Sequence, residues 1–204
     1  MDIEQACHEL LLRLAGRLPD ALLWRYRDWL GEGAVSPLAR TLPKTLLKHG
    51  IDLDQHEHGL LVAGFGPYGA DRHQINATLG VDADQQTRYT FTQDSPERVN
   101  AANQVDAVVG ATLRGRPQVG EVRQSWRQAG VGEAKRVLLV TALAGCARLT
   151  GELQRVSRVL GEEEPSVEVM PPRLEPPAYH RAALANSTLV CVGAAGGRQR
   201  TAAA

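Results

Sequence analysis

The chain has 204 residues, 43% of them hydrophobic and 23% charged, enough to bury a sizeable core as one domain or two small ones. Its 23 basic residues cancel its 23 acidic ones, which argues against the basic face of a dedicated nucleic-acid binder. Three cysteines (Cys7, Cys146 and Cys191), far apart and in no CxxC pair, exclude a disulfide framework and a zinc ribbon.

Aromatic residues make up only 4%, so the core must be built from Leu, Val and Ala. No basic N-terminal segment leads into a signal-peptide core. The longest near-apolar stretch, VLLVTALAGCA, is about half of the roughly 20 residues a membrane helix needs. A cytoplasmic protein without a membrane partner is expected.

IEQACHELLLRLAGRL places Ile3, Cys7, Leu10, Leu11 and Leu14 on one helical face, which makes Cys7 a core residue. Pro19 and Asp20 open a second helix, ALLWRYRDWL, ended by Gly31 and Gly33. Ser36 reads as an N-cap with Pro37 at the first helical position, and Pro43 is expected to break the following segment into two short turns. Asp54 with Glu57 has capping-box character, repeated by Asp71 with Gln74. Residues 1–80 therefore read as an α-helical domain.

VDADQQ is a polar break, and RYTFT in the linker 81–96 reads as a short strand. Ser95 and Pro96 open a helix running to Leu113, and EVRQSWRQ is expected to add a further helical turn or two. RVLLVTA is a buried strand, LTGELQRVSRVL an amphipathic helix, SVEVM a strand, AYHRAAL a short helix and STLVCVG a last strand. This alternation predicts an α/β class over 97–195, a small, mainly parallel sheet of three to four strands with flanking helices. Residues 196–204 read as a disordered tail.

The bend ALAGCAR after RVLLVTA lies where doubly wound sheets bind ligands. There Thr141 offers a hydroxyl, Gly145 allows close backbone approach, and Cys146 and Arg148 stand at a helix start that favours anions. Neither GxGxxG nor GxxxxGK[ST] is present, so small residues at a tight turn explain the bend equally well. Cys146 is the one plausible nucleophile, with His180 as the only histidine of this half that could act as its base. Cys191, inside an apolar strand, is packing. GAAGG (193–197) follows the last strand like a phosphate loop but with no helix expected behind it.

In the first half, His49, Asp52, Asp54, His56, Glu57 and His58 gather like a metal set. His56 and His58, however, would lie about 200° apart around a helix, and no metal or cofactor is expected. LLVAGFGPYGADRHQINATL invites a helix-turn-helix reading over 58–80, with Arg72, His73, Gln74 and Asn76 able to read bases. Its connection is longer than that motif's usual 3–4 residues. Trp24, Tyr26 and Trp29 on one short helix suit a protein partner, or core packing for at least two of them.

The order RVLLVTA–ARLTGELQRVSRVL–VEVM–YHRAALANSTLVCVG, with the small polar pair Asn186–Ser187 before the last strand, resembles the TIR-like and caspase-like α/β domains of bacterial defence and signalling proteins. The resemblance spans residues 135–193. The catalytic glutamate that TIR-like enzymes carry on a later helix has no counterpart here. Nor does VCVGAAGG contain the histidine that caspase-like domains place after the matching strand. The resemblance thus implies a recognition or adaptor form without catalysis. The function expected is a non-enzymatic interaction or regulatory protein, acting through a protein partner or self-association. The alternatives are a small-molecule or nucleotide sensor or hydrolase using ALAGCAR, and a DNA-binding regulator using 58–80.

Overall fold

The computed structural model describes residues 2–80, 88–94, 107–130 and 134–196. Five helices come first: α1 (Ile3–Arg13), α2 (Asp20–Gly31), α3 (Val35–Lys48), α4 (Gln55–Phe65) and, after a 3-10 turn at Gly66–Tyr68, α5 (Arg72–Ala77). Strand β1 (Thr90–Thr92) follows, then α6, helical over 107–113. The chain continues through β2 (Val119–Gln128), β3 (Lys135–Ala142), α7 (Cys146–Val159), β4 (Ser166–Met170), α8 (Ala178–Ala185) and β5 (Thr188–Val192). The expected linker 81–87, the Ser95 cap and the tail 197–204 lie outside the described residues.

Local chemistry sets the ends of these helices. Asp54 Oδ1 accepts from the Glu57 amide at 2.7 Å and Glu57 Oε2 accepts from the Asp54 amide at 3.2 Å, a complete capping box. Asp71 accepts from the Gln74 amide at 3.0 Å. Pro43 does not break α3, which runs unbroken from Val35 with Ser36 and Pro37 already inside it. Interior proline costs about 3 kcal/mol. Leu38, Leu42 and Leu46, all fully buried along one face, outweigh that at about 1.5–3 kcal/mol each.

The class is α/β, but the sheet is five-stranded and mixed rather than mainly parallel. Only β3 and β4 pair in parallel. The segment expected to be helical, EVRQSWRQ, is instead part of β2, the ten-residue centre of the sheet. Strand β2 runs antiparallel to β3 on one side, and on the other to β5 at one end and β1 at the other. Its pattern misleads because two of its buried residues, Ser125 and Arg127, are polar.

β3 alternates between two apolar clusters. Val137 and Leu139 face the N-terminal helices and pack with leucines of α1 to α4, Met170 and Tyr179. Leu138, Val140 and Ala142 face the other way, toward Val109 and Leu113 of α6 and Leu149 and Leu153 of α7. Because β3, β4 and β5 share a direction, their carboxyl ends meet at one end of the sheet. Among the described residues no helix is long and apolar enough to cross a membrane.

Candidate functional site

The bend after β3 opens at that shared end of the sheet. Gly145 begins α7 with φ +64, the left-handed backbone that glycine adopts without cost, and a Cβ there would meet nothing within 4 Å. The Thr141 hydroxyl is turned back into the sheet. It accepts from the Glu121 amide at 2.7 Å, in the space that Gly120 leaves by lacking a side chain. Cys146 donates weakly to the Ala142 carbonyl at 3.5 Å, and burial pushes its thiol up to about 11, away from the thiolate form a nucleophile needs. Arg148 is exposed and reaches Glu152 at 3.1 Å, where Arg116 also binds at 2.5 Å. These two arginines hold the Glu152 carboxyl below its ordinary range.

His180 is not a base beside this bend. It is fully buried, and its Nε2–H donates to Glu168 at 2.8 Å. Glu168 lies at the middle of β4, also fully buried, and Arg27 of α2 grips both of its carboxylate oxygens at 2.6 Å. Ser166 adds a bond at 3.2 Å. Burial alone would raise the Glu168 pKa, but the Arg27 charge and the His180 hydrogen bond win and hold it well below the usual carboxylate range.

The same side chains close an edge of the sheet. Among the described residues β4 pairs only with β3, and its outward carbonyls accept from helix side chains instead. Arg27 donates to the Val167 carbonyl at 3.2 Å, and His8 of α1 donates through Nε2–H to the Val169 carbonyl at 2.7 Å. An edge strand left bare would be a template for pairing with another chain. Burial pulls the His8 pKa down to about 4, so the ring is neutral at pH 7. At the far end of β2, Arg127 binds both Asp20 oxygens, donates to the Tyr179 hydroxyl at 3.2 Å and stacks 4.4 Å from the Tyr89 ring centre. Lys135 joins Asp20 at 2.7 Å.

Sequence reasoning missed this buried charge layer, although one signal was present. A glutamate at the centre of SVEVM must find a cation once the strand is buried. Nothing in the sequence says that the cation is Arg27, 141 residues away.

The remaining predicted residues are placed as follows. Trp24 is half-buried against α7, its carbonyl taken by Gln154 at 2.7 Å and its ring covered by Arg158 at 4.4 Å. Tyr26 is buried with its hydroxyl 2.6 Å from the Thr45 hydroxyl, and Trp29 packs beside it at 5.8 Å between ring centres. Of the histidine-rich segment, Asp54 caps α4, Glu57 takes Arg17 at 2.7 Å, and His56 bonds Glu9 at 2.9 Å. His49 is exposed, and the Asp52 carbonyl accepts from Arg17, while the Nε2 of half-buried His58 meets no hydrogen-bond partner. Among the described residues no three His, Cys, Asp or Glu side chains are placed to hold a metal. In the 58–80 segment α5 has six residues, with Arg72, His73 and Asn76 exposed and Gln74 half-buried. After β5, residues 194–196 are helical, contrary to the expectation that no helix follows GAAGG and that the tail begins at 196. The Gly193 amide there bonds the Gly120 carbonyl at 2.6 Å.

Set against protein-family models, curated proteins and solved structures, the chain matches none of them.

Proposed function

We propose that this chain is a non-enzymatic interaction protein of the regulatory or adaptor type, and that it acts by pairing with a second copy of itself through the outer face of α4. The observation that carries the reading is the composition of that face. Along α4 the outward positions after His56 are Gly59, Val62 and Ala63, all exposed and none charged, although a surface helix normally turns charged residues to water. Val62 is 45% exposed and projects from this face, while a Cβ at Gly59 would meet nothing within 4 Å. Two such helices crossing about a two-fold axis set each Val62 over the other's Gly59, the self-matching contact that a symmetric dimer requires.

The bend after β3 supports the same reading, since its thiol is held protonated and its threonine hydroxyl is engaged in the sheet. The adaptor form implied by the resemblance of residues 135–193 to TIR-like and caspase-like domains agrees with it. Val62→Glu tests the reading. The substitution is expected to keep the melting temperature of the single copy and to abolish self-association in sedimentation velocity. Unchanged association would reject the α4 face.

A further inference from the structure

The charge layer between the N-terminal helices and β4 is larger than packing requires. It joins α1, α2 and α8 to one strand through two imidazoles, a guanidinium and a carboxylate, none more than 3% exposed. Two of these groups also satisfy the outward carbonyls of β4. We infer that the seat of α1 and α2 on the outer edge of β4 is an acid-released latch, which opens as a unit while the sheet and α7 stay folded. This inference stands on the buried cluster and does not depend on the α4 reading.

The groups facing His8 are Arg27 from α2, Glu168 from β4 and His180 from α8. Ser166 and the Tyr179 hydroxyl complete the layer from β4 and α8. From α4 comes Glu57, already held by Arg17, and the buried polar residues of α7 (Thr150, Gln154 and Ser157) carry no charge. A proton placed on His8 therefore puts a second cation beside Arg27 with a single carboxylate between them. Neutral His8 suits the closed seat, and protonated His8 suits the open one, where water reaches it. The second apolar cluster is built only of Val, Leu, Ala and Cys residues, so acid leaves its contacts untouched. Opening uncovers the Val167 and Val169 carbonyls together with the apolar face of Val137, Leu139 and Met170. A further strand could pair with an edge of that kind.

Hydrogen exchange of the full chain between pH 7 and pH 4, corrected for intrinsic rates, tests the latch. Protection of α1 and α2 amides should fall at least tenfold per pH unit below about 6.5, reaching two to three powers of ten near pH 4. Protection in β3 and α7 should hold. His8→Gln, which keeps a donor for the Val169 carbonyl but cannot titrate, should reduce that slope by one power of ten per pH unit. Equal loss of protection in all elements, no loss above pH 4, or an unaltered slope in a folded His8→Gln variant would each overturn the inference. Should His8→Gln fail to fold at pH 7, the exchange map of the unmodified chain decides alone.

Discussion

Replacing Glu168 by glutamine keeps the size of the side chain and removes its charge, which leaves the Arg27 guanidinium buried without a counter-ion. Both Arg27–Glu168 contacts are 2.6 Å long, and the two side chains are 2% and 0% exposed, so water cannot take over the lost interaction. Breaking a buried pair from one side costs about 3–5 kcal/mol. For a chain of this size, at about 2–4 °C per kcal/mol, the melting temperature should fall by roughly 6–20 °C. The same physics says that the intact pair adds little net stability, because its attraction is offset by the cost of drying both ions. Arg27→Met combined with Glu168→Leu should therefore cost less than either single change, although the Val167 and Leu11 carbonyls then lose a donor. Urea denaturation of the single and double variants gives the coupling directly. A loss below about 1 kcal/mol for Glu168→Gln, or a double variant worse than the sum of the singles, would refute the assignment of a dry ion pair.

Three further outcomes follow from other parts of the fold. Stability should be level above pH 6.5 and fall by about 3 kcal/mol toward pH 4, because the unfolded chain accepts a proton that buried His8 refuses until about pH 4; below about pH 4.5 the depressed Glu168 pKa acts in the same direction, and denaturant melts across pH measure both. Cys146 and Cys7, with thiols pushed up to about 11 and about 12 by burial, should react with a thiol reagent at pH 7 at least ~100-fold more slowly than in short peptides of the same sequence. In α4, Gly64→Ala should destabilise by about 1–3 kcal/mol, since its Cβ would stand 2.7 Å from Cys7 Sγ and 3.1 Å from the Cys7 amide; Gly59→Ala, five residues earlier in open space, should stabilise the single copy by up to ~1 kcal/mol in thermal melts run below the association range.

Apolar continuity made β3, β4 and β5 readable, and capping chemistry made α4 and α5 readable, because in each case one local cause dominates. β2 was not readable because its inward positions include Ser125, which donates to the Asn186 carbonyl at 2.6 Å, and Arg127, which binds Asp20. Their burial depends on partners 61 and 107 residues away, and no local pattern reports such pairings. The antiparallel insertion of β2 between β3 and β5 was hidden for the same reason, and with it the mixed character of the sheet. At the candidate sites, Gly145 stood out through its place at a strand-to-helix turn. Thr141, Cys146 and Arg148 did not reveal their engagements, which are set by Glu121, Ala142 and Glu152 in space. His180 read as a surface or catalytic imidazole because its partner Glu168 was taken for an ordinary strand residue.

The measurement that tests the functional reading most directly is the solution mass of the unmodified chain as a function of concentration, by light scattering behind a sizing column. Pairing through α4 predicts a mass that rises from 22.1 kDa toward twice that value, and that stays at 22.1 kDa in Val62→Glu. A mass fixed at 22.1 kDa at every concentration would contradict self-association as the role of this face.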